Sequence, residues 1–219
     1  MASCPLDQSG LNYQTVMGRT SDARQRLTDA AYDLIWEHSY GAVTIDAICE
    51  RAGVKKGSFY YFFDSKSDLA VAALDAWWVQ RKPIIDNFFR PEAAPLDRLR
   101  GYLDFISERQ VKTFETTGQV LGCPIFTLGS EISTQEERIR SRICFFLDFL
   151  TDNVERAISE GQASGEIEGR DARTKAQFFM AYFEGVLTRA RIQNDPALLL
   201  RLSSNALEVI GARTALASV

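Results

Sequence analysis

The sequence predicts an all-α protein, with an N-terminal three-helix head that contains a helix-turn-helix and a longer C-terminal helical bundle. Three observations predict the fold class. Apolar residues recur at spacings of three and four through most of the chain, and no stretch alternates with a period of two. Only 14 glycines and 6 prolines interrupt 219 residues, mostly between the periodic segments. Near the N-terminus two very short helical patterns flank a tight corner, which is helix-turn-helix spacing.

Residues 1–18 contain Pro5, Gly10 and Gly18 without sustained periodicity and read as a flexible arm. A helix is predicted from about Ser21 to His38, with Leu27, Ala30, Ala31, Leu34 and Ile35 on one face. Thr44 then caps a short helix, Ile45 to Arg51. The corner Ala52-Gly53-Val54 follows, where Gly53 suits a positive φ. A second short helix covers about Lys55 to Phe62. From Ser67 onward every segment reads helical: 67–89 with a bend or break at Pro83, 95–114, an imperfect stretch 118–130, then 134–160, 171–191 and 195–211. The stripe Ile139, Ile143, Phe146, Leu150, Val154 and Ile158 marks the buried face of the fourth of these. The domains are thus 1–18, 19–66 and 67–219.

Composition narrows the function. Hydrophobic residues at 46 % and charged residues at 25 % exclude wholesale disorder. The longest uncharged internal run, Thr116 to Ser130, is 15 residues and contains Gly and Pro, too short and polar for a membrane span. No basic patch followed by an apolar block opens the chain, so no secretion signal is read and a cytoplasmic protein is expected. Cysteines at 4, 49, 123 and 144 make neither a disulfide framework nor a metal spacing, and His38 is the single histidine. No metal, cofactor or catalytic triad is therefore expected. Acidic neighbours such as Glu136-Glu137 read as surface charge. Net charge is −4, and residues 1–66 carry seven Lys/Arg against eight Asp/Glu, so any contact with nucleic acid rests on a few placed groups.

The string from Ala52 to Leu69, AGVKKGSFYYFFDSKSDL, together with Thr44, Ile45 and Ile48, resembles the DNA-binding head of the tetracycline-repressor (TetR) family of bacterial regulators. The rest of the chain matches the family's helix plan. The resemblance implies a homodimeric transcription factor, usually a repressor, with a variable ligand domain and a palindromic double-stranded operator as partner. The residues agree. A recognition helix enters the major groove with its first residues against base edges, where Lys55 and Lys56 lie. Gly57 lets the backbone approach closely, and Ser58 can reach a base or a phosphate. Tyr60 and Tyr61 carry hydroxyls for phosphate; Phe59 and Phe62 read as core. Thr44 and Lys66 stand at helix starts, and Arg19 and Arg24 can reach the flanking backbone.

The C-terminal region is rich in aromatics. Trp77, Trp78, Phe105, Phe114, Cys123, Phe126, Phe145, Phe149, Phe178 and Tyr182 are candidates for the lining of a pocket, and the lining favours a small apolar, aromatic or unsaturated effector. Cys123, in Gly122-Cys123-Pro124, also resembles a subgroup of the family that senses electrophiles, which gives an alternative reading as a thiol-based sensor. Cys49 and Cys144 read as packed. By resemblance the last two helices form the dimer seam, with Ala181 and Gly185 allowing close approach and Phe178, Leu187, Leu199, Leu202 and Leu207 supplying apolar contact. The helix starting near Ser67 joins head to bundle and is the natural lever between them.

Overall fold

The structure, a computed structural model, describes residues 13–213, with side chains from residue 22 onward. The chain divides into two compact units, one ending at Leu74 and the other beginning at Asp75. Among the described residues all regular structure is helical, apart from one isolated antiparallel bridge between Ile167 and Ala212.

The first unit holds α1 (Tyr13–Glu37), α2 (Ile45–Ala52), α3 (Lys56–Phe62) and the opening turns of α4 (Lys66–Phe88). Helix α1 starts at Tyr13, ahead of the expected Ser21, so residues 13–18 are helical and Gly18 does not stop it. A glycine inside a helix costs only about 1 kcal/mol relative to alanine, too little to act as a terminator by itself. Residues 1–12 of the expected arm lie outside the described residues. Leu27, Ala30, Ala31, Leu34 and Ile35 are all buried, as their spacing predicts, and α1 packs on both short helices. Ile48 and Phe59 are fully enclosed in this small core.

Local chemistry fixes the two short helices. The Thr44 hydroxyl accepts the Ala47 N–H at 3.1 Å and caps α2. Gly53 adopts φ 63°, ψ 39°, and its N–H and that of Val54 return to the Glu50 and Cys49 carbonyls at 3.0 Å each. This left-handed stop turns the chain directly into α3.

The second unit contains the rest of α4, then α5 (Pro95–Thr117), α6 (Pro124–Ile132), α7 (Glu137–Ala163), α8 (Ala172–Gln193), a 3₁₀ turn (Pro196–Leu199) and α9 (Leu202–Val209). Helix α4 continues through Pro83, where a bend or break was expected. Pro83 and Val79 are both exposed, so solvent can take the carbonyl that the proline leaves without an N–H. The predicted stripe of α7 is buried along its whole length. Helix α8 packs on α7 and α9, and α5 on α7 and α9. The expected final helix is split, because Pro196 opens a tight turn that closes before α9 begins.

Candidate functional site

The solvent face of α3 gathers most of the predicted DNA-contacting residues. Lys55, Lys56, Gly57, Tyr60 and Tyr61 are exposed, and Ser58 is half-buried. Tyr60 is 56 % and Tyr61 74 % exposed, a large solvent share for aromatic rings on a helix whose Phe59 is fully buried. Each tyrosine is held edge-on against its neighbour: Tyr60 on Phe59 at 5.1 Å between centroids, and Tyr61 on Phe62 at 4.8 Å. The rings are anchored while more than half of each residue stays open to solvent. Phe62 is half-buried rather than a full core residue.

The two lysines differ. Lys56 Nζ sits 2.8 Å from an Asp46 carboxylate oxygen, an exposed ion pair that raises the lysine pKa through its hydrogen bond. Lys55 precedes the first turn of α3 and makes no side-chain cap. A β-carbon built on Gly57 meets nothing within 4 Å. The protein's own packing therefore does not require glycine there.

Other predicted residues have internal roles. Lys66 was expected on a phosphate; instead its Nζ donates to the Tyr40 and Val43 carbonyls at 2.8 and 2.9 Å and lies 4.2 Å from the Tyr40 ring centroid. It holds the loop that presents Thr44. Arg24 is exposed, with its guanidinium 5.3 Å from the Phe63 ring centroid. The Arg19 side chain lies outside the described residues. Arg51, not singled out from the sequence, pairs with Glu37 at 3.1 Å and joins α2 to α1.

In the second unit a strap, residues 118–123, leads into α6. Gln110 on α5 donates to the Gly122 carbonyl at 3.0 Å and accepts its N–H at 2.9 Å. Asn194 accepts from Val120 N–H at 2.8 Å, and Arg191 donates to the Leu121 carbonyl at 2.7 Å. These bonds set Cys123 at the start of α6. A cavity of about 330 Å³ between α6 and α8 is lined by Cys123, Phe126, Thr127, Thr188, Arg191 and Ile192, among others. A second, of about 380 Å³, lies between α6 and α7 and includes Phe126, Ile143, Cys144 and Leu147. Cys144 is exposed here rather than packed.

The surroundings of Cys123 disfavour the thiolate. Burial pushes its pKa up to about 11, against a smaller opposing effect of the Phe126 and Ile125 N–H groups. At neutral pH it is a protonated thiol, whereas nucleophilic sensing needs the thiolate. The alternative reading as an electrophile sensor is not supported.

The aromatic candidates do not line one pocket. Trp78 stacks on Phe146 at 4.8 Å and meets Phe149 edge-on at 4.9 Å and Phe145 at 5.8 Å, while Trp77 lies 5.8 Å from Phe146. These rings pack α4 against α7. Phe105 lies 5.2 Å from Phe88. Phe114 and Tyr182 are half-buried, and Phe178 is exposed. Of the predicted set, Cys123 and Phe126 line the cavities described.

The predicted dimer residues separate into two groups. Leu187, Leu199, Leu202 and Leu207 are at most 2 % exposed within their own chain, so they hold α8, α9 and α5 together and cannot form an outer seam. Phe178, Ala181 and Gly185 are exposed along one stripe of α8, which continues through Thr188 to Ile192, 78 % exposed. Leu200 and Val209 are also exposed apolar side chains nearby in sequence. Leucine spacing marks a buried face without saying whose chain buries it; the period from Phe178 through Ala181 and Gly185 to Ile192 was the signal for the outer one.

Two family models match the chain in succession. The family model for bacterial regulatory proteins of the tetR family matches residues 27–73, and that for the tetracyclin repressor-like C-terminal domain matches residues 95–205. Transcriptional regulator AcuR of Cereibacter sphaeroides is 29 % identical over 176 residues, 80 % of this chain and 78 % of that protein. The HTH-type transcriptional repressor DhaR of a Mycobacterium species is 27 % identical over 82 % of this chain and 87 % of its own. The crystal structure of regulatory protein TetR from Rhodobacter sphaeroides superposes with a TM-score of 0.75 at 28 % identity, covering 85 % of this chain and 98 % of that one. With a helix-turn-helix head matching one model and a helical bundle matching the other, the chain belongs to the TetR family of DNA-binding transcriptional regulators.

Proposed function

We propose that the protein is a ligand-responsive repressor that binds a near-palindromic operator as a homodimer and releases it when a small molecule occupies the C-terminal unit. The observation that carries the reading is the exposed face of α3, where cationic and hydroxyl donors surround a glycine that internal packing does not require. Lys55 and Lys56 stand where side chains meet base edges, with Ser58 beside them. Tyr60 and Tyr61, with Arg24 and the α2 start at Thr44, are placed for phosphate. Lys66 supports that surface from behind through the Tyr40–Val43 loop.

Repression is supported by the name of one relative, a transcriptional repressor. The exposed stripe of α8 supports a homodimer, whose two heads would read half-sites about one helical turn apart. Helix α4 supplies residues to both units and is the covalent route between them. An effector that prefers the released arrangement competes with operator by linkage; a coupling of about 1–3 kcal/mol lowers affinity roughly five- to 150-fold without subunit separation.

The test is a mobility shift of the gene's own upstream duplex with purified protein across a salt series. The expected result is sequence-specific retardation that weakens with salt. Tyr60→Phe should weaken binding to all duplexes alike by about tenfold or more, the loss of one charge-assisted hydrogen bond, with fold and mass unchanged. Retardation that ignores both sequence and the tyrosine would overturn the assignment.

A further inference from the structure

A cation in the first turn of a helix sits at the unfavourable end of the helix dipole. Lys66 is the first residue of α4, next to Ser65, whose hydroxyl accepts the Asp68 N–H at 3.0 Å and caps the helix. Helix stability therefore does not account for a lysine at this position. The Lys66 ammonium donates to two backbone carbonyls far back in the chain, that of Tyr40 at 2.8 Å and that of Val43 at 2.9 Å. It also lies 4.2 Å from the centroid of the Tyr40 ring, on a residue that is itself buried. An ammonium has three protons, and two are engaged by these carbonyls. To reach a phosphate, Nζ would have to leave both carbonyls and the ring, and carbonyls of buried residues rarely stay unpaired.

The two carbonyls belong to the turn that sets the start of α2. Tyr40 and Val43 are both buried, and the Val43 N–H returns to the Ser39 carbonyl at 3.2 Å. Thr44 follows at once. Its hydroxyl accepts the Ala47 N–H and its carbonyl the Ile48 N–H, each at 3.1 Å. A displacement of Val43 is thus a displacement of the α2 cap, and of the backbone N–H groups that a helix start offers to a phosphate. At its other end α2 leads through Gly53 directly into α3. One side chain, from the helix that continues into the second unit, therefore ties down the turn from which the DNA face begins.

We propose that Lys66 is a positioning residue for operator binding. It acts without touching the duplex, by holding the Tyr40–Val43 turn, and with it Thr44 and the first turn of α2, in the arrangement that binds. This rests on the reading of α2 and α3 as the DNA face and adds a route of control to it. Because Lys66 belongs to α4, a shift of the first turn of that helix disturbs the DNA face inside a single head.

Lys66→Met keeps the apolar stem and removes the ammonium. Full-length parent and variant are compared on the gene's own upstream duplex and on a duplex that the parent selects from a random pool, after thermal melting has verified the fold. Affinity should fall about tenfold or more, on the scale of a lost charged hydrogen bond. The slope of log affinity against log salt should stay that of the parent, whereas removing a lysine from a phosphate would reduce it by about one. In the DNA-free protein, hydrogen exchange should quicken at the Ala47 and Ile48 amides and stay unchanged in α7; loss of a phosphate contact would alter neither. Thr44→Val removes the same cap directly, so the two substitutions together should weaken binding by clearly less than the product of their separate factors. Should Lys66→Met fail to fold, Lys66→Arg makes the same distinction. Arginine serves a phosphate at least as well as lysine, but its donors sit on separate nitrogens of a longer, planar group, so it should also lose affinity at a parental slope. Parental affinity in the variants, a slope reduced by one, or fully multiplicative losses with Thr44→Val would overturn the role of Lys66 and leave the DNA face standing. A parent that retains neither duplex would overturn the DNA face itself, and the role of Lys66 with it.

Discussion

The head and the C-terminal unit use the same polar residue types in opposite ways. In the head, Tyr60 and Tyr61 hold their rings against neighbouring phenylalanines and remain largely exposed, beside two exposed lysines. In the C-terminal unit, Tyr102 is buried among Phe88, Phe89 and Phe183, with Arg81 and Glu184 near it. The difference teaches what it costs to hold a polar group outward or inward. Outward donors cost little to hold and wait for a highly charged surface. Inward polar groups without partners carry a desolvation cost that the outward ones escape.

The largest test of this contrast concerns apolar residues on α8, where the same helix has an inner and an outer face. Leu187→Ala should cost about 2–5 kcal/mol of folding stability, because Leu187 is 1 % exposed within its own chain. Phe178→Asp should leave the folded subunit intact but block dimer formation, since Phe178 is 57 % exposed on the proposed seam. Mass measured by light scattering should halve, and operator affinity should fall at least about a hundredfold. A dimeric Phe178→Asp variant would place the seam elsewhere.

A second test uses proton linkage at Glu184. Its pKa is about 8 in the folded chain against an ordinary value of 4.5. Between those values the folded state holds a proton that the unfolded state has released. The stabilisation from this group is therefore fully present below pH 4.5 and declines as pH rises through 8. Glu184→Gln keeps a neutral donor and removes the titration. Urea midpoints at pH 5, 6.5 and 8 should fall in the parent and fall less in the variant. Parallel profiles would mean that Glu184 titrates as an exposed carboxylate.

Most of the helix plan and nearly all of the head's surface were legible in the sequence, for a physical reason. Short helices with a glycine corner have few ways to bury Ile48 and Phe59, so the exposed face follows from the core. Lys66 was misread because a sequence shows a cation at a helix start but not the carbonyls of Tyr40 and Val43 that face it. In the C-terminal unit, helical periodicity located Leu187, Leu199, Leu202 and Leu207 on apolar faces without telling core from seam. The aromatic residues were visible as a class, yet Trp78 and Phe149 meet each other while Phe126 meets a cavity.

A smaller effect should separate folding from binding on α3 itself. Glycine in a helix interior costs roughly 0.5–1 kcal/mol relative to alanine, and a β-carbon at Gly57 meets nothing in the protein. Gly57→Ala should therefore raise folding stability by about that amount. If the α3 backbone comes close to the duplex there, the added methyl should weaken operator binding at the same time. Stability and affinity moving in opposite directions support the contact surface. An unchanged affinity would mean that DNA does not approach α3 at this position.

The finest distinction lies between the two lysines of the same helix start. Lys56 is held by Asp46 at 2.8 Å, and both side chains are at least half exposed, so the pair contributes little to stability. Asp46→Asn should leave the melting temperature nearly unchanged. It frees the Lys56 ammonium and removes a negative charge from the surface proposed to face phosphates. Operator affinity should then rise by a few-fold at low salt, with the gain shrinking as ionic strength increases. Lys56→Ala in the Asp46→Asn background should remove that gain, whereas Lys55→Ala should lower affinity whether or not Asp46 is present. If Asp46→Asn weakens binding instead, Asp46 positions Lys56 for its contact, and the ion pair is part of the recognition surface rather than a competitor of the operator.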